Sequence, residues 1–187
     1  CILVLILLLY IVVRNNQEKS ELVRSAQTDA LTGVYNKENT QKVIDAILRE
    51  KDPKGFHGFL ILDMDHFKEV NDVYGHVMGD NVLKMLGSFL KEQFREQDVI
   101  GRIGGDEFVI LLCNIGSREN MESRIKNLHE KLREIHMEGM EEYTFSFSAG
   151  IAFAPQDGDT FMELYQKADL ALYQVKRSGR NGYRIYK

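Results

Sequence analysis

The chain has 187 residues, of which 44% are apolar, and its formal net charge is −4. The apolar share excludes a disordered chain, and the charge gives no support for a broad basic surface that binds nucleic acid. The length suggests one domain with an appendage. Cys1 and Cys113 are far apart in sequence and form no disulfide framework, so a reducing compartment fits.

Residues 1–13 are uncharged and consist mostly of Ile, Leu and Val. A bilayer span needs about 20 apolar residues, and we interpret this shorter run as the end of a transmembrane segment. A buried core helix or strand is the alternative. Arg14 and Lys19 follow, and the positive-inside rule then places the remaining chain in the cytoplasm, at the inner cell membrane.

Residues 14–28 are polar and contain no Gly or Pro, which predicts a short connecting helix. Further helices are predicted at residues 36–50, with Asn36 as the cap, and at residues 79–95, 121–135 and 160–176. Strands are predicted at residues 59–62, 99–103, 108–112, 143–153 and 183–186. This alternation, with one central hairpin, predicts an α/β fold in which a mixed central β-sheet is flanked by helices.

Three acidic residues follow or join predicted strands. Asp63 follows the first strand, and Asp106 and Glu107 lie at the tip of the hairpin. If these strands are neighbours, the carboxylates converge, and like charges at close range repel unless a cation neutralises them. Oxygen ligands favour Mg²⁺ or Mn²⁺, and two such ions can stabilise both oxygens of an in-line phosphoryl displacement. Solvated turn residues are the alternative, but Gly104 and Gly105 favour a ligand that lies close to the backbone.

The hairpin tip also spells a signature, Gly104-Gly105-Asp106-Glu107-Phe108. Together with four further blocks in the same order, it resembles the GGDEF domain family over residues 29–187. These blocks are residues 29–36, residues 63–68 with Asn71, Asp72, Gly75, His76, Gly79 and Asp80, residues 146–152, and residues 168–173 with Lys176, Gly179, Arg180 and Asn181.

The resemblance implies a palm-like, nucleotidyl-cyclase-like fold and the activity of a diguanylate cyclase. In this family each subunit of a homodimer holds one GTP, and the 3′-hydroxyl of each GTP attacks the α-phosphate of the other. The products are cyclic di-GMP and two pyrophosphates. The alternatives are an inactive GGDEF module that binds GTP or cyclic di-GMP as a receptor, and another palm-like nucleotidyl transferase.

Residue roles are also implied by the resemblance. Asp63 and Asp106 would hold two Mg²⁺ or Mn²⁺ ions with help from the Met64 carbonyl, and Glu107 would bind metal or help to activate the 3′-hydroxyl. The implied triphosphate-binding groups are Lys176, Arg180 and the backbone amides of His66, Phe67 and Lys68. The alternative for the two cations is an ordinary favourable position at a helix C-terminus.

Asn71 and Asp80 are implied to recognise guanine. A carboxylate can accept from the guanine N1–H and the exocyclic amine, and an Asn can pair with an acceptor edge and the amine. A turn position for Asn71 and a helix N-cap for Asp80 are the alternatives. Relatives that make mixed cyclic GMP-AMP replace this aspartate with a smaller residue, so Asp80 favours GTP alone.

Arg95 and Asp98 form an Arg-x-x-Asp motif shortly before the hairpin tip. In the family, such a motif at this offset binds product dimers and inhibits the enzyme, and Arg can contact phosphate or a guanine edge bidentately. A helix-end salt bridge is the alternative. A second arginine usually completes the site, and the sequence does not place it; Arg124 and Lys126 are candidates.

Overall fold

A computed structural model of the chain describes residues 12–14, 26–50 and 55–187. The helices are α1 (Lys37–Arg49), α2 (Phe67–Tyr74), α3 (His76–Gln93), α4 (Arg118–Arg133) and α5 (Phe161–Arg177). The strands are β1 (His57–Met64), β2 (Val99–Gly104), β3 (Glu107–Leu112), β4 (Phe147–Ala154) and β5 (Gly182–Ile185).

Most of the N-terminal appendage lies outside the described residues. The predicted membrane segment, residues 1–13, is described only at Val12 and Val13, and the predicted connecting helix, residues 14–28, only at Arg14 and 26–28. Within the described ranges, no helix has the length and apolar character needed to cross a bilayer. Both assignments therefore remain predictions.

The five strands form one sheet in the order β2-β3-β1-β4-β5. Strand β1 pairs antiparallel with both β3 and β4, β2 and β3 form the predicted hairpin, and β5 runs parallel to β4. The predicted mixed sheet flanked by helices is confirmed. Strands β1 and β3 are direct neighbours, as the argument from the acidic residues required.

Successive residues of β1 point to opposite faces of the sheet, and helices cover both faces. Phe59 and Ile61 pack among residues of α1 and α5, whereas Leu60 and Leu62 pack among residues of α3 and α4. Strand β4 is buried along its whole length. The apolar core therefore consists of two layers, one on each side of the sheet.

Helix α5 lies very close to the sheet at Gly150 of β4. A Cβ atom on Gly150 would fall 1.9 Å from the carbonyl oxygen of Ala168 and 2.5 Å from the amide nitrogen of Leu172. Only a residue without a side chain fits between the strand and the helix at this point.

Side-chain caps place the starts of two helices where the sequence predicts them. Asn36 accepts a hydrogen bond from the N–H of Asn39, and Thr160 accepts one from the N–H of Glu163. The strand predicted over residues 143–153 is observed as β4, which begins later.

Three features differ from the predictions. Helix α3 begins at His76 rather than at residue 79. Helix α2 was not predicted, because only Val70 in it is buried and no side chain caps its start. Strand β1 extends to Met64, so Asp63 lies within the strand rather than after it.

Candidate active site

The predicted catalytic carboxylates lie together at one end of β1 and β3. Asp63 and Glu107 are cross-strand partners, so their side chains lie on the same face of the sheet. Asp106 precedes Glu107 in the hairpin turn, and its carbonyl accepts from the N–H of Met64 at 3.4 Å. A Cβ on Gly105 would meet no atom within 4 Å, so the turn borders open space in which a ligand can lie.

Negative charge accumulates at this end of the sheet. Burial and the charge of Asp63 raise the pKa of Asp106, Glu107 adds to this effect, and Lys176 partly opposes it. The Lys176 Nζ lies 2.8 Å from Asp63 Oδ2, and the Asp63 side chain is only 16% exposed. Carboxylates that are crowded in this way favour a bound cation.

These donors fit a small divalent ion. Mg²⁺ is usually held by one or two carboxylates together with substrate phosphates and water. In the described part of the chain, no group of three or more His, Cys, Asp or Glu side chains could hold an ion by itself. Asp63, Asp106 and Glu107 supply carboxylates of this kind, and the Met64 carbonyl lies at the end of the same strand as Asp63.

Helix α5 supplies a polar partner to each carboxylate of the cross-strand pair. Lys176 contacts Asp63, and the Tyr165 hydroxyl donates to Glu107 Oε1 at 2.6 Å. Burial, and then the Glu107 carboxylate, raise the pKa of Tyr165, so the phenol remains a hydrogen-bond donor. Sequence reasoning missed Tyr165, because no local pattern indicates a contact with a residue 58 positions away.

Asn71 and Asp80, the predicted guanine-binding residues, lie on α2 and α3. Gly79 is buried against the Asn71 side chain, since a Cβ on Gly79 would lie 2.0 Å from Asn71 Oδ1. Asp80 is the next residue and is exposed. Neither alternative holds, because Asn71 lies within a helix rather than a turn, and Gly75 rather than Asp80 is the N-cap of α3.

Apart from Lys176 on α5, the predicted phosphate-binding groups lie on two surface segments. His66 has a left-handed conformation with φ 60° and precedes α2, so the N–H groups of Phe67 and Lys68 belong to the first turn of that helix, where amides lack intrahelical partners. Arg180 is exposed in the loop after α5, also at a positive φ of 64°. Their roles in binding phosphate stay predictions.

Asp65 connects these two segments and was not predicted as a site residue. Its buried carboxylate accepts from the hydroxyls of Ser148 at 2.6 Å and Ser146 at 3.0 Å, and from the N–H of Asn181 at 2.9 Å. It therefore joins the end of β1, the start of β4 and the loop that carries Arg180. The signal in the sequence, an acidic residue at a strand end, is too general to assign this role.

Arg102 of β2 holds the glycine turn. It donates to the Gly105 carbonyl from Nε at 2.9 Å and from Nη2 at 2.7 Å, and its Nη1 lies 3.1 Å from Asp29 Oδ1. Burial raises the pKa of Asp29, but hydrogen bonds from Thr32 and Arg102 outweigh burial, and the net shift is downward. An ionised Asp29 thus ties the segment before α1 to the turn that carries Asp106.

The Arg-x-x-Asp motif lies at the opposite end of β2 from the hairpin turn. The Asp98 side chain is 2% exposed and accepts from the N–H groups of Arg95 and Cys113, both at 3.0 Å. Arg124 lies 3.7 Å from Asp98 and lines, with Arg95, a cavity of about 540 Å³. Asp98 therefore holds the turn, and the two arginines border the cavity. Lys126 is exposed on the same helix as Arg124.

The mixed sheet and its flanking helices form a palm-like cyclase fold. A family model described as "Diguanylate cyclase, GGDEF domain" matches residues 26–182, and the chain belongs to this family. The chain is 36% identical over 173 residues to the diguanylate cyclase DgcS of Shewanella oneidensis, covering 91% of this chain and 56% of that protein. It spans 26% and 44% of the next two curated relatives, so it corresponds to only part of their length.

Solved structures agree with this assignment. The GGDEF domain of TpbB (YfiN) from Pseudomonas aeruginosa superposes with a TM-score of 0.80 at 31% identity, covering 86% of this chain and 94% of that one. The GGDEF domain of DgcB from Caulobacter crescentus, solved in complex with c-di-GMP, gives a TM-score of 0.75 at 26% identity, covering 86% and 95%. The resemblance drawn from the sequence motifs is confirmed.

Proposed function

We propose that the chain is the catalytic part of a diguanylate cyclase, which joins two GTP molecules into cyclic di-GMP and releases two pyrophosphates. The observation that carries this proposal is the cross-strand pair of Asp63 and Glu107 beside Asp106, in a turn that is open to a ligand. Membership of the GGDEF family and a relative named diguanylate cyclase support it.

Asp63 and Asp106 would hold two Mg²⁺ or Mn²⁺ ions, with the Met64 carbonyl as a further ligand. When bound, the ions stabilise the attacking and leaving oxygens of an in-line displacement. Glu107 either adds a ligand or helps to remove the proton of the 3′-hydroxyl. Lys176 offsets negative charge at Asp63 and can also pair with a triphosphate oxygen.

The base and the phosphates of GTP are recognised by different segments. The Asp80 carboxylate accepts from the guanine N1–H and from the exocyclic amine, and the Asn71 amide pairs with an acceptor edge and with the same amine. The amides at the start of α2 and the Arg180 guanidinium bind the triphosphate. Adenine presents an acceptor where guanine has N1–H, and sites that hydrogen-bond their substrate reject analogues that leave polar groups unpaired.

The reaction requires a homodimer, because each GTP supplies the hydroxyl that attacks the other. Product binds at the cavity beside Arg95 and Arg124 and inhibits the enzyme, since guanidinium groups match phosphate oxygens bidentately. Residues 1–13 anchor the protein at the inner membrane, with the catalytic domain in the cytoplasm.

Incubation of the purified chain with GTP and Mg²⁺ tests the proposal, with the oligomeric state measured by light scattering. We expect pyrophosphate release and cyclic di-GMP in the mass spectrum, and no cyclic product from ATP alone. A verified dimer that binds GTP or cyclic di-GMP without releasing pyrophosphate would instead be a receptor. A linear or intramolecularly cyclised product would indicate another palm-like nucleotidyl transferase.

A further inference from the structure

A short hydrogen bond joins α5 to the strand that begins with Glu107. The Tyr165 hydroxyl lies 2.6 Å from Glu107 Oε1, within the range of a bond to an ionised acceptor. A glutamate side chain has three rotatable bonds, and fixing it in one arrangement costs conformational entropy. The hydroxyl of Tyr165 stabilises one of these arrangements.

The Tyr165 ring is held by aromatic packing. It stacks on Phe161 with the ring centroids 5.7 Å apart, and Phe161 meets Phe59 of β1 edge-on at 5.5 Å. Phe161 is 4% exposed and Phe59 is fully buried. Because these rings belong to the close-packed core, the hydroxyl has a fixed position relative to the sheet.

The neighbouring carboxylate is also held by a side chain of α5. Asp63, the cross-strand partner of Glu107, has Oδ2 in contact with Lys176, which also belongs to α5. In both residues one oxygen meets an α5 side chain, and the second oxygen can turn to a ligand. Metal-binding carboxylates are commonly held by such outer hydrogen bonds, and the loss of one typically costs about 10- to 100-fold in metal affinity or activity.

We propose that Tyr165 is a positioning residue that orients Glu107 toward divalent ions at the triphosphate site, an inference that rests on the proposed function of that site. Tyr165 touches neither the substrate nor an ion. By holding Oε1 of Glu107, it leaves Oε2 as the oxygen that can bind an ion.

Tyr165→Phe removes one oxygen atom and keeps the ring. The electron paramagnetic resonance signal of free Mn²⁺ measures ion binding in the presence of α,β-methylene GTP, without any turnover. We expect the Mn²⁺ dissociation constant of the variant to rise about tenfold, with a parallel rise in the Mg²⁺ concentration for half-maximal rate. The melting temperature and the KM for GTP at saturating Mg²⁺ should stay at the wild-type values. Tyr173→Phe is the matched control, since Tyr173 lies on the same helix but is 57% exposed.

If Tyr165 acts by positioning Glu107, its effect on Mn²⁺ binding must depend on the Glu107 carboxylate. In a Glu107→Gln background, adding Tyr165→Phe should change Mn²⁺ binding far less than it does in the wild type. Wild-type Mn²⁺ affinity in Tyr165→Phe, or an undiminished effect in the Glu107→Gln background, overturns the inference. If Mn²⁺ binding shifts as expected but no preparation makes cyclic di-GMP, the role of Tyr165 stands and the proposed function fails. If the wild-type chain binds no Mn²⁺ with the analogue, the role of Tyr165 fails as well.

Discussion

Gly79→Ala is expected to weaken the recognition of GTP while leaving α3 folded. The new Cβ would lie 2.0 Å from Asn71 Oδ1 and 3.0 Å from its Cγ, so the Asn71 side chain must move. Gly79 lies within α3, where Ala is favoured over Gly by about 0.8–1 kcal/mol, and this preference offsets part of the strain. The steric strain is therefore relieved by a reorientation of the Asn71 side chain rather than by unfolding of the helix.

The expected magnitude follows from one lost hydrogen-bonding partner of guanine. A polar group left unpaired costs about 1–3 kcal/mol, which corresponds to a fall of about five- to 150-fold in kcat/KM. ITP lacks the exocyclic amine with which Asn71 pairs. Gly79→Ala should therefore lower kcat/KM less for ITP than for GTP. The ratio of kcat/KM for GTP to that for ITP should therefore shrink.

Initial rates of pyrophosphate release with GTP and with ITP measure this ratio, and thermal melting reports on the fold. Gly87→Ala is the matched control in the same helix, because its Cβ would lie 2.8 Å from the carbonyl oxygen of Thr32 and far from the proposed substrate. That control should lower the melting temperature and leave the ratio unchanged. A wild-type ratio and a wild-type kcat/KM in Gly79→Ala would refute the placement of Asn71 at the base.

Asp106→Asn should abolish pyrophosphate release, and substantial remaining turnover would contradict the metal assignment. The same variant should melt at a higher temperature than the wild type in metal-free buffer at neutral pH. The reason is that the pKa of Asp106 is raised in the folded state, so its ionisation costs stability as the pH rises from the unfolded pKa, about 3.9, through the folded one. Asp80→Ala should relax the preference for GTP over ATP in parallel rate measurements, and unchanged selectivity would remove Asp80 from the guanine pocket. Arg95→Ala should relieve inhibition by added cyclic di-GMP without changing the rate at low product, and Arg124→Ala should act in the same direction; inhibition curves identical to the wild type would rule out the product site.

Much of the fold could be predicted from apolar spacing and capping residues. The run from Met121 to Leu132 is buried along one side of α4, Asn36 caps α1 as expected, and α5 begins next to Thr160, where the predicted helix starts. Helix α2 could not be predicted because its apolar pattern is weak. The helix is short and buries only Val70.

The residues of the candidate site also fall into two groups, those that a local motif indicates and those that it does not. The carboxylates and the guanine-binding candidates lie in local motifs, and such motifs can be read directly from a sequence. The residues that hold them in place act over long separations: Tyr165 reaches Glu107 across 58 positions, Arg102 reaches Asp29 across 73, and Ser146 reaches Asp65 across 81. No local pattern encodes contacts of that kind, since they arise only when the sheet is assembled.

The contact between α5 and β4 at Gly150 fixes the distance of the helix from the sheet through main-chain atoms alone. Main-chain atoms have no alternative rotamers, so this spacing cannot relax by a side-chain rearrangement. Tyr165 and Lys176 both project from this helix, and their reach to Glu107 and Asp63 depends on the same spacing. A single added methyl group at Gly150 would thus alter the environment of both acidic residues at once, although it would touch neither.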